Sequence, residues 1–465
     1  MSVLFSLRLL ISSAIISLPI VSLAASAVDV SAVENSQIST YAEAVQPHTV
    51  AGAHESHLID ETASRPLNIA MLMPSDESPF LSAAKIVGNG LIAANRANNY
   101  GANLMLIEAP ENVNIHELID TAVFAGADVV VGPLQKDRVE HLSESEQLPI
   151  PIVTLNYSHL AAQNSADNLI MLSVATDLEA EYIAKLAIQA LPQPTSLDNP
   201  SKILVLTTDK PWEQRLSEAY IRVLQQSNIP YEVFTVTLDN LQELQDKCRP
   251  ELSLEERLKF RHMEIVASGD VKALKAIRNE AKTKIATAEP PYQAALLALD
   301  ARTAGLVRNR LPLRTRVWAT STTNPGDPST SSSSSALAYD LNQVVFAECP
   351  LILRYDTQTF ENKYGIAMPY SMPARRLFSL GLDAYQIAIN WAKNTKSFQL
   401  KGETGDLTID RSHSALIDRR PSTYVIHNGT LVDVPTDILI APGDFPAIPA
   451  VADEDSLENT DTSNE

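Results

Sequence analysis

Apolar residues fill both faces of an extended chain over positions 67–73, which predicts a strand buried on both sides of a sheet. Pro74 ends this strand. The polar turn that follows contains Ser78, a good helix N-cap, and Pro79, which suits a first helical turn. Apolar side chains then recur at positions 80, 84, 87, 91 and 94, which predicts a helix with one apolar face. Strand, polar turn and helix form the opening unit of an α/β sheet, where ligands meet the carboxyl ends of the strands.

The same alternation of strands and helices continues along the chain. Further strands are predicted at 104–107, 127–131, 152–155, 169–174, 203–207, 231–236, 294–299, 316–319 and 344–346. Further helices are predicted at 115–124, 135–142, 178–191, 212–223, 273–285, 301–307 and 373–391. The short turns between them predict parallel, doubly wound sheets. Residues 407–409 and 424–426 are predicted to pair as an antiparallel hairpin, whereas the charged, helix-like stretch 239–263 fits no partner face.

With 465 residues, the chain exceeds what one core usually supports, which predicts two lobes. The two-lobed part is expected over 67–440. Its first lobe is expected at about 67–170 plus 340–395, and its second at about 171–339 plus 396–440. The proline-rich break at 192–200 is expected to be a surface loop, and the serine-rich stretch 322–335 a mobile loop.

Both ends of the chain differ from this middle part. Residues 1–27 are typical of a secretory signal peptide, with Arg8, an apolar run at 9–23 and small residues at 25–27, although an uncleaved membrane anchor is the other interpretation. Ser26 stands where a lipoprotein needs a cysteine, so no lipid anchor is predicted. Residues 28–66 are polar and predict a disordered tether, and residues 441–465 form an acidic tail with seven acids and no base.

Composition excludes several classes of partner. The net charge of -20 argues against nucleic acid or an anionic membrane surface, because either would require a basic face. The two cysteines, Cys248 and Cys349, cannot form a disulfide framework or a cysteine-based metal site. In an oxidising compartment they could pair, or each could be a separate small apolar residue.

No enzyme motif is found in the sequence. The turn after the first strand lacks the glycines of a phosphate-binding loop, no Gly-x-Ser-x-Gly elbow occurs, and no helical segment has His-x-x-x-His spacing. His48, His54 and His57 cluster in the predicted tether, where solvated side chains are a simpler interpretation than a metal site. The sequence therefore predicts a protein that is not an enzyme and has no cofactor and no catalytic metal.

A ligand cleft fits the polar residues at strand ends better. These residues are Ser75, Ser78, Gly132, Asn156, Asp209 and Asp300. In a two-lobed α/β protein they would face the gap between the lobes and could bind a small ligand. Taken one at a time they have simpler explanations, with Ser78 and Asp209 as helix caps and Asp300 in a local turn.

Seven short segments carry a further signal: WEQR (212–215), LLALDAR (296–302), VWATS (317–321), DLNQVVF (340–346), PLIL (350–353), RLFSLGLDAY (376–385) and GETGDLT (402–408). In sequence and spacing they resemble the C-terminal domain of the penicillin-binding-protein activators, the LppC/LpoA lipoprotein family. The resemblance covers about residues 67–434. The Asp-Met-Pro-Trp run of the family corresponds here to Glu348, Cys349, Pro350 and Leu351. The lipid-attachment cysteine of the family is missing, and residues 28–66 are too few for the helical-repeat domain of its longer members.

The resemblance implies the type I periplasmic binding protein fold, with two Rossmann-like lobes joined by crossing strands. It also implies a non-enzymatic periplasmic protein that binds and stimulates a class A penicillin-binding protein, a peptidoglycan synthase. The alternative, which rests on the cleft between two lobes, is a periplasmic solute-binding protein for an amino-acid-like or amide ligand.

Overall fold

The structure is a computed structural model that describes residues 65–159, 165–192, 201–326 and 332–440. All of these residues belong to one compact unit. The predicted signal peptide and acidic tail lie outside the described residues, as do most of the predicted tether and of the loop at 192–200. Within the described part of the chain, no helix is both long and apolar enough to cross a membrane.

The described residues form fifteen strands in three sheets. In chain order they are β1 (Leu67–Pro74), β2 (Ala102–Ala109), β3 (Val129–Val131), β4 (Ile152–Thr154), β5 (Leu169–Met171), β6 (Ile203–Thr207), β7 (Tyr231–Thr235), β8 (Ala294–Leu297), β9 (Arg316–Ala319), β10 (Val344–Glu348), β11 (Ser397–Lys401), β12 (Asp406–Asp410), β13 (Asp418–Arg420), β14 (Ser422–His427) and β15 (Thr430–Asp433).

Two of the sheets are large and mostly parallel. The first has the order β2-β1-β3-β4-β5 and is parallel throughout. The second has the order β15-β14-β10-β9-β8-β6-β7, in which β6 to β10 are parallel and β14 and β15 run antiparallel to their neighbours. Most residues of strands β1 and β6 are apolar and buried, because helices cover both faces of each sheet. The predicted parallel α/β architecture is confirmed.

Fourteen helices connect or flank these strands in the described part of the chain. They are α1 (Leu81–Ala97), α2 (Ile115–Phe124), α3 (Lys136–Ser143), α4 (Thr176–Gln189), α5 (Pro211–Gln226), α6 (Leu241–Cys248), α7 (Leu254–Val266), α8 (Val271–Thr287), α9 (Ala301–Arg308), α10 (Ser332–Asp340), α11 (Leu351–Arg354), α12 (Thr357–Tyr364), α13 (Met372–Ala392) and α14 (Thr436–Ile440).

Helices α1 and α13 pack together on the first sheet at two glycines. A Cβ atom on Gly90 would overlap with the carbonyl oxygen of Phe378, and a Cβ atom on Gly381 with that of Val87. The two backbones are therefore in direct contact, which only glycine permits. The core around this crossing includes Met71, Leu91, Leu380, Tyr385 and Trp391.

The predicted hairpin between 407–409 and 424–426 is wrong. β12 pairs with β11 and β13 in a separate three-stranded sheet, while β14 pairs with β10 and β15. Leu407 and Ile409 point into the core of the first sheet, and Tyr424 and Ile426 into a core of the second. The two segments differ in pattern, since β12 alternates buried and more exposed residues whereas β14 has four consecutive buried residues, as a strand covered on both faces has.

The chain passes between the cores of the two large sheets at three places. β5 leads to α4 in a core of the second sheet, β10 leads to α13 in the core of the first, and β13 leads to β14. β10 lies in the second sheet because it pairs with β9, whereas α13 lies on the first. Within residues 340–440 the chain thus passes between the two cores twice, whereas the predicted lobes change only once, between residues 395 and 396.

Two further local predictions are corrected. The N-cap of α1 is Phe80 rather than Ser78. The Ser78 hydroxyl accepts from the amide of Phe80 at 3.3 Å and donates to Glu111 Oε1 at 2.9 Å. The predicted mobile loop 322–335 is partly helical: it starts within a 3-10 turn at Ser321–Thr323, and its last residues begin α10. Thr323 Oγ1 donates to the carbonyl of Leu299 at 3.1 Å, which fixes that turn on the second sheet.

The unplaced stretch 239–263 forms α6 and most of α7. Ser253 caps α7 in a capping box with Glu256, and Asp270 caps α8 by accepting from two backbone amides. Between them Gly269 has a φ of +97°, a conformation that favours glycine. Helices α7 and α8 therefore form a helical hairpin within the connection from β7 to β8.

Candidate functional site

A bidentate ion pair joins the two large sheets. Glu348 at the end of β10 accepts from Arg376 of α13, with Nε at 2.8 Å from Oε1 and Nη2 at 2.6 Å from Oε2. The Glu348 side chain is 1% exposed and that of Arg376 is 14% exposed. Asn324 Nδ2 and the amide of Cys349 also donate to this carboxylate. Its oxygens therefore have four donors, as a buried carboxylate requires.

A second buried ion pair links α4 to the three-stranded sheet. Glu179, in the first turn of α4, accepts from Arg419 Nη2 of β13 at 3.0 Å, and both side chains are almost fully buried. Arg419 Nη1 also donates to the carbonyl of Thr404. Ser321 connects the two pairs, because its amide donates to Glu179 at 3.2 Å and its carbonyl accepts from Arg376 at 2.8 Å.

We call Glu179, Ser321, Glu348, Arg376 and Arg419 the ionic junction. Two buried donors in it have no partner among the described residues, the hydroxyl of Ser321 and Nε of Arg419. None of its five residues is among the site residues predicted from the sequence. One available signal was Glu179 itself, a carboxylate four residues before Ile183 on the apolar face of α4, and another was Glu348 at the end of an apolar strand.

Of the six predicted cleft residues, Asp300 lies in a charged cluster at the carboxyl ends of β6 and β8. Lys210 Nζ lies 2.5 Å from Asp300 Oδ2 and 3.3 Å from Glu213 Oε1, and Glu213 is fully buried. Asp300 also caps α9 by accepting from the Thr303 amide, rather than forming only a local turn. Burial raises the pKa of Asp300, but Lys210 and Thr303 outweigh it and the net pKa is below its usual range.

The other predicted cleft residues lie apart from one another. Ser75 accepts from the amide of Ser78 through its carbonyl, and Asn156 donates to the carbonyl of Leu134 at 3.0 Å. Gly132 has a φ of +112° and packs beside Leu72. Asp209 is exposed and does not cap α5, whose N-cap is Lys210. None of the six side chains is hydrogen bonded to a side chain of the ionic junction within the described residues, so a single cleft made of them stays a prediction.

The GETGDLT segment forms a second polar cluster around Glu403. Its carboxylate accepts from the hydroxyls of Tyr355 and Tyr364 at 2.8 and 2.9 Å, and from Lys363 and Arg354 at 3.2 and 2.9 Å. Arg354 is in α11, Lys363 and Tyr364 are in α12, and Tyr355 directly follows α11. The cluster therefore attaches that part of the chain to the turn between β11 and β12.

Asp383 of α13 holds the same turn from the opposite side. Its carboxylate accepts from the amides of Glu403 and Thr404 and from the Thr404 hydroxyl, at 2.6 to 2.8 Å. A Cβ atom on Gly402 would overlap with this carboxylate, which accounts for the glycine. Burial raises the pKa of Asp383 to about 6, against the lowering effect of its three donors.

Two cavities lie elsewhere on the described residues. One of about 500 Å³ is lined by Glu111, Asn114, His116, Arg138 and His141 among others, so Ser78 adjoins it through its bond to Glu111. The other, of about 370 Å³, is lined by His159, Glu181, Lys185 and Arg222 with residues of α5. Neither is lined by the ionic junction. No group of three or more metal-ligating side chains occurs in the described ranges, and Cys248 and Cys349 are both free and buried, so they do not pair.

Comparisons with known proteins give the family and the fold. The model of a family described as "LppC putative lipoprotein" matches residues 56–424. No curated protein matches the chain. A solved structure described as a "putative branched-chain amino acid ABC transporter" from Chromobacterium violaceum is 23% identical, with a TM-score of 0.55, over 77% of this chain and 99% of that one.

Two structures of LpoA from Haemophilus influenzae share the same fold. Full-length LpoA is 16% identical, with a TM-score of 0.56, over 80% of this chain and 59% of that one. The LpoA C-domain, described as a regulator of PBP1A, is 16% identical, with a TM-score of 0.52, over 79% of this chain and 100% of that one. The match thus covers little more than half of full-length LpoA and the whole of its C-domain.

Proposed function

This chain belongs to the LppC family, and we propose that it is a non-enzymatic periplasmic activator of a class A penicillin-binding protein, a peptidoglycan synthase. The observation that carries the proposal is the family match over residues 56–424, which includes strands β1 to β13 and the start of β14. The LpoA C-domain, a regulator of PBP1A, has the same fold over its full length. Residues 1–27 would direct the chain to the periplasm, where such synthases act.

The bonding of the polar clusters supports a binding role. Glu348 and Glu179 are engaged by arginines, and Glu403 is engaged by two tyrosines, Lys363 and Arg354. A general base or nucleophile needs a lone pair that is free to meet a substrate, and these carboxylates use theirs within the fold. The clusters hold elements of the chain in fixed relative positions, as a protein that presents a surface to a partner requires.

The direct test is a reconstitution with purified components. The mature chain is added to a class A penicillin-binding protein and its lipid-linked substrate, and glycan polymerisation and peptide cross-linking are measured with and without it. We expect at least one rate to rise and the chain to bind the synthase in a pull-down. A solute-binding protein of the same fold is the control and should change neither rate. Unchanged rates together with no binding would contradict the proposal.

The second candidate function is that of a solute-binding protein, favoured by two buried donors without partners in the ionic junction. The Ser321 hydroxyl and Arg419 Nε, among the described residues, could each donate to a small amino-acid-like or amide ligand. A true receptor gains about 2.7 kcal/mol of stability at a ligand concentration of 100 Kd. Thermal shift against a panel of such solutes detects this gain, and Ser321→Ala should remove it. If only the synthase rates respond, the first candidate stands.

A further inference from the structure

The helical hairpin α7–α8 leaves most of its surface exposed. In α7 only Phe260 is buried, and α8 has no buried residue. Leu254, Leu258 and Ile265 lie along one side of α7, at intervals of four and seven residues, and are 66%, 59% and 65% exposed. Large apolar side chains that follow one helix face at such exposure indicate a surface that another chain segment covers.

The hairpin is also basic in an acidic protein. Helices α7 and α8 carry eight Lys and Arg residues against four Glu, whereas the whole chain has a net charge of -20. Two of these cations are paired inside the hairpin, Arg278 with Glu264 and Lys284 with Glu256. Five have no ion pair among the described residues: Lys259, Arg261, Lys272, Lys275 and Lys282. The exposed apolar line of α7 therefore lies within a surface of uncompensated positive charge.

The last described residues lie near the base of this hairpin. Arg314 donates to the carbonyl of Thr287, the last residue of α8. Arg316, two positions further on, donates to the carbonyl of Leu439 at 2.9 Å, one residue before the described chain ends at Ile440. Because these two arginines are only two residues apart, the ends of α8 and α14 are both bound to the same short segment of chain.

We propose that residues 441–465 dock on the α7–α8 hairpin of the same chain. This segment has the complementary chemistry, with seven acids and no base, and with the apolar residues Phe445, Ile448, Val451 and Leu457 between and beside them. A flexible chain of 25 residues spans on the order of 25–30 Å, and a helix of 17 residues is about 25 Å long. The segment can therefore reach the whole hairpin from Ile440, at the high effective concentration of an intramolecular partner.

The test uses a zero-length carbodiimide cross-linker, which joins a lysine amine to a carboxylate in contact with it. In the full chain at low salt, we expect cross-links from Lys259, Lys272 or Lys275 to acids within 453–465, in the monomer fraction. Hydrogen exchange of residues 254–287 should be about two- to fivefold slower than in a chain that ends at Ile440. Both effects should weaken in 0.5 M salt, because the charges are exposed.

A full-length charge variant separates docking from any effect of truncation. In the variant Asp453→Asn/Glu454→Gln/Asp455→Asn/Glu458→Gln, the protection of the hairpin from hydrogen exchange should be lost. The control Lys393→Glu changes an exposed lysine after α13 and should leave that protection unchanged. Three results would overturn the proposal: cross-links found only in dimers, which would make a second copy the occupant; protection equal in the full and shortened chains; or protection that appears only with anionic vesicles.

Discussion

The guanidinium of Arg376 and the carboxylate of Glu348 form a two-pronged bond between α13, which covers the first sheet, and β10, which lies in the middle of the second. The two residues belong to different cores, so this bond acts between the halves of the molecule. Because Glu348 is 1% exposed, its charge has little access to water and depends on Arg376 for compensation.

Arg376→Met should lower the free energy of unfolding by about 3–5 kcal/mol, because it leaves a buried carboxylate unpaired. Urea denaturation measures the change. The double variant Arg376→Met/Glu348→Gln should recover part of the loss, since the charge is then removed as well. Arg420→Ala is the control, because its pair with Asp418 is exposed and contributes about 1 kcal/mol or less. Equal effects of Arg376→Met and Arg420→Ala would contradict a coupling role for the pair.

Lys210→Met should reduce stability by about 1 kcal/mol or more. Solvent partly screens the pair of Lys210 with Asp300, but the substitution also removes a donor to the buried carboxylate of Glu213. The sign of its pH dependence follows from the lowered pKa of Asp300. The ionised carboxylate stabilises the fold above about pH 4, and this contribution is lost as the pH falls through the folded pKa. The difference in free energy of unfolding between the wild type and Lys210→Met should therefore shrink below pH 4. Asp209→Ala, at an exposed neighbour, should change stability little at either pH.

Asp383 should make the fold less stable as the pH rises from 4 to 6. Its pKa is about 6 in the folded chain, against about 3.9 when unfolded, so the folded state holds the proton over that window. The loss amounts to about 3 kcal/mol and is complete above the folded pKa. Because Asp383→Asn cannot ionise, the wild-type advantage over this variant should be larger at pH 4.5 than at pH 7. If the stability difference between the wild type and Asp383→Asn instead grows toward pH 7, the three donors lower the pKa of Asp383 more than burial raises it.

Gly90→Ala and Gly381→Ala should each destabilise the protein by about 1–3 kcal/mol or more, because the new methyl overlaps with backbone of the facing helix. Thermal unfolding measures the effect. Asn89→Ala, on the exposed side of α1, is the matched control and should be neutral or slightly stabilising, since alanine is the better helix former. If Gly90→Ala is as mild as this control, α1 and α13 are further apart than described.

The Rossmann-like elements could be predicted because each carries its own local pattern. β1 is apolar on both faces, and α13 repeats its apolar residues at helical spacing from Ala374 to Trp391. Which strands pair with each other was not predictable in the same way. β12 alternates buried and more exposed residues and joins the small sheet, whereas β14, with four consecutive buried residues, joins the second large sheet. That choice depends on which core each apolar face fills, which is a property of the whole fold.

The candidate site was less accessible to sequence reasoning. The six predicted residues were chosen as polar groups at strand ends, and only Asp300 gathers other charged side chains around it. The ionic junction pairs Glu179 with Arg419, 240 residues apart, and Glu348 with Arg376, 28 residues apart, so both pairs join residues of different elements. The spacing of residues within one helix or strand cannot predict such contacts. What the sequence does show is a charged residue among apolar ones, at Glu179 and at Glu348, and such residues are candidates for buried ion pairs.

The crossing of α1 and α13 also constrains the order of events during biosynthesis. Gly90 is made early and Gly381 late, yet their backbones touch in the same core. The early strands and helices consequently leave the ribosome without the element that completes their burial, and cannot reach a stable native state until nearly all of the chain has been translated. A polypeptide whose first and last elements share one core stays incompletely folded for most of its synthesis.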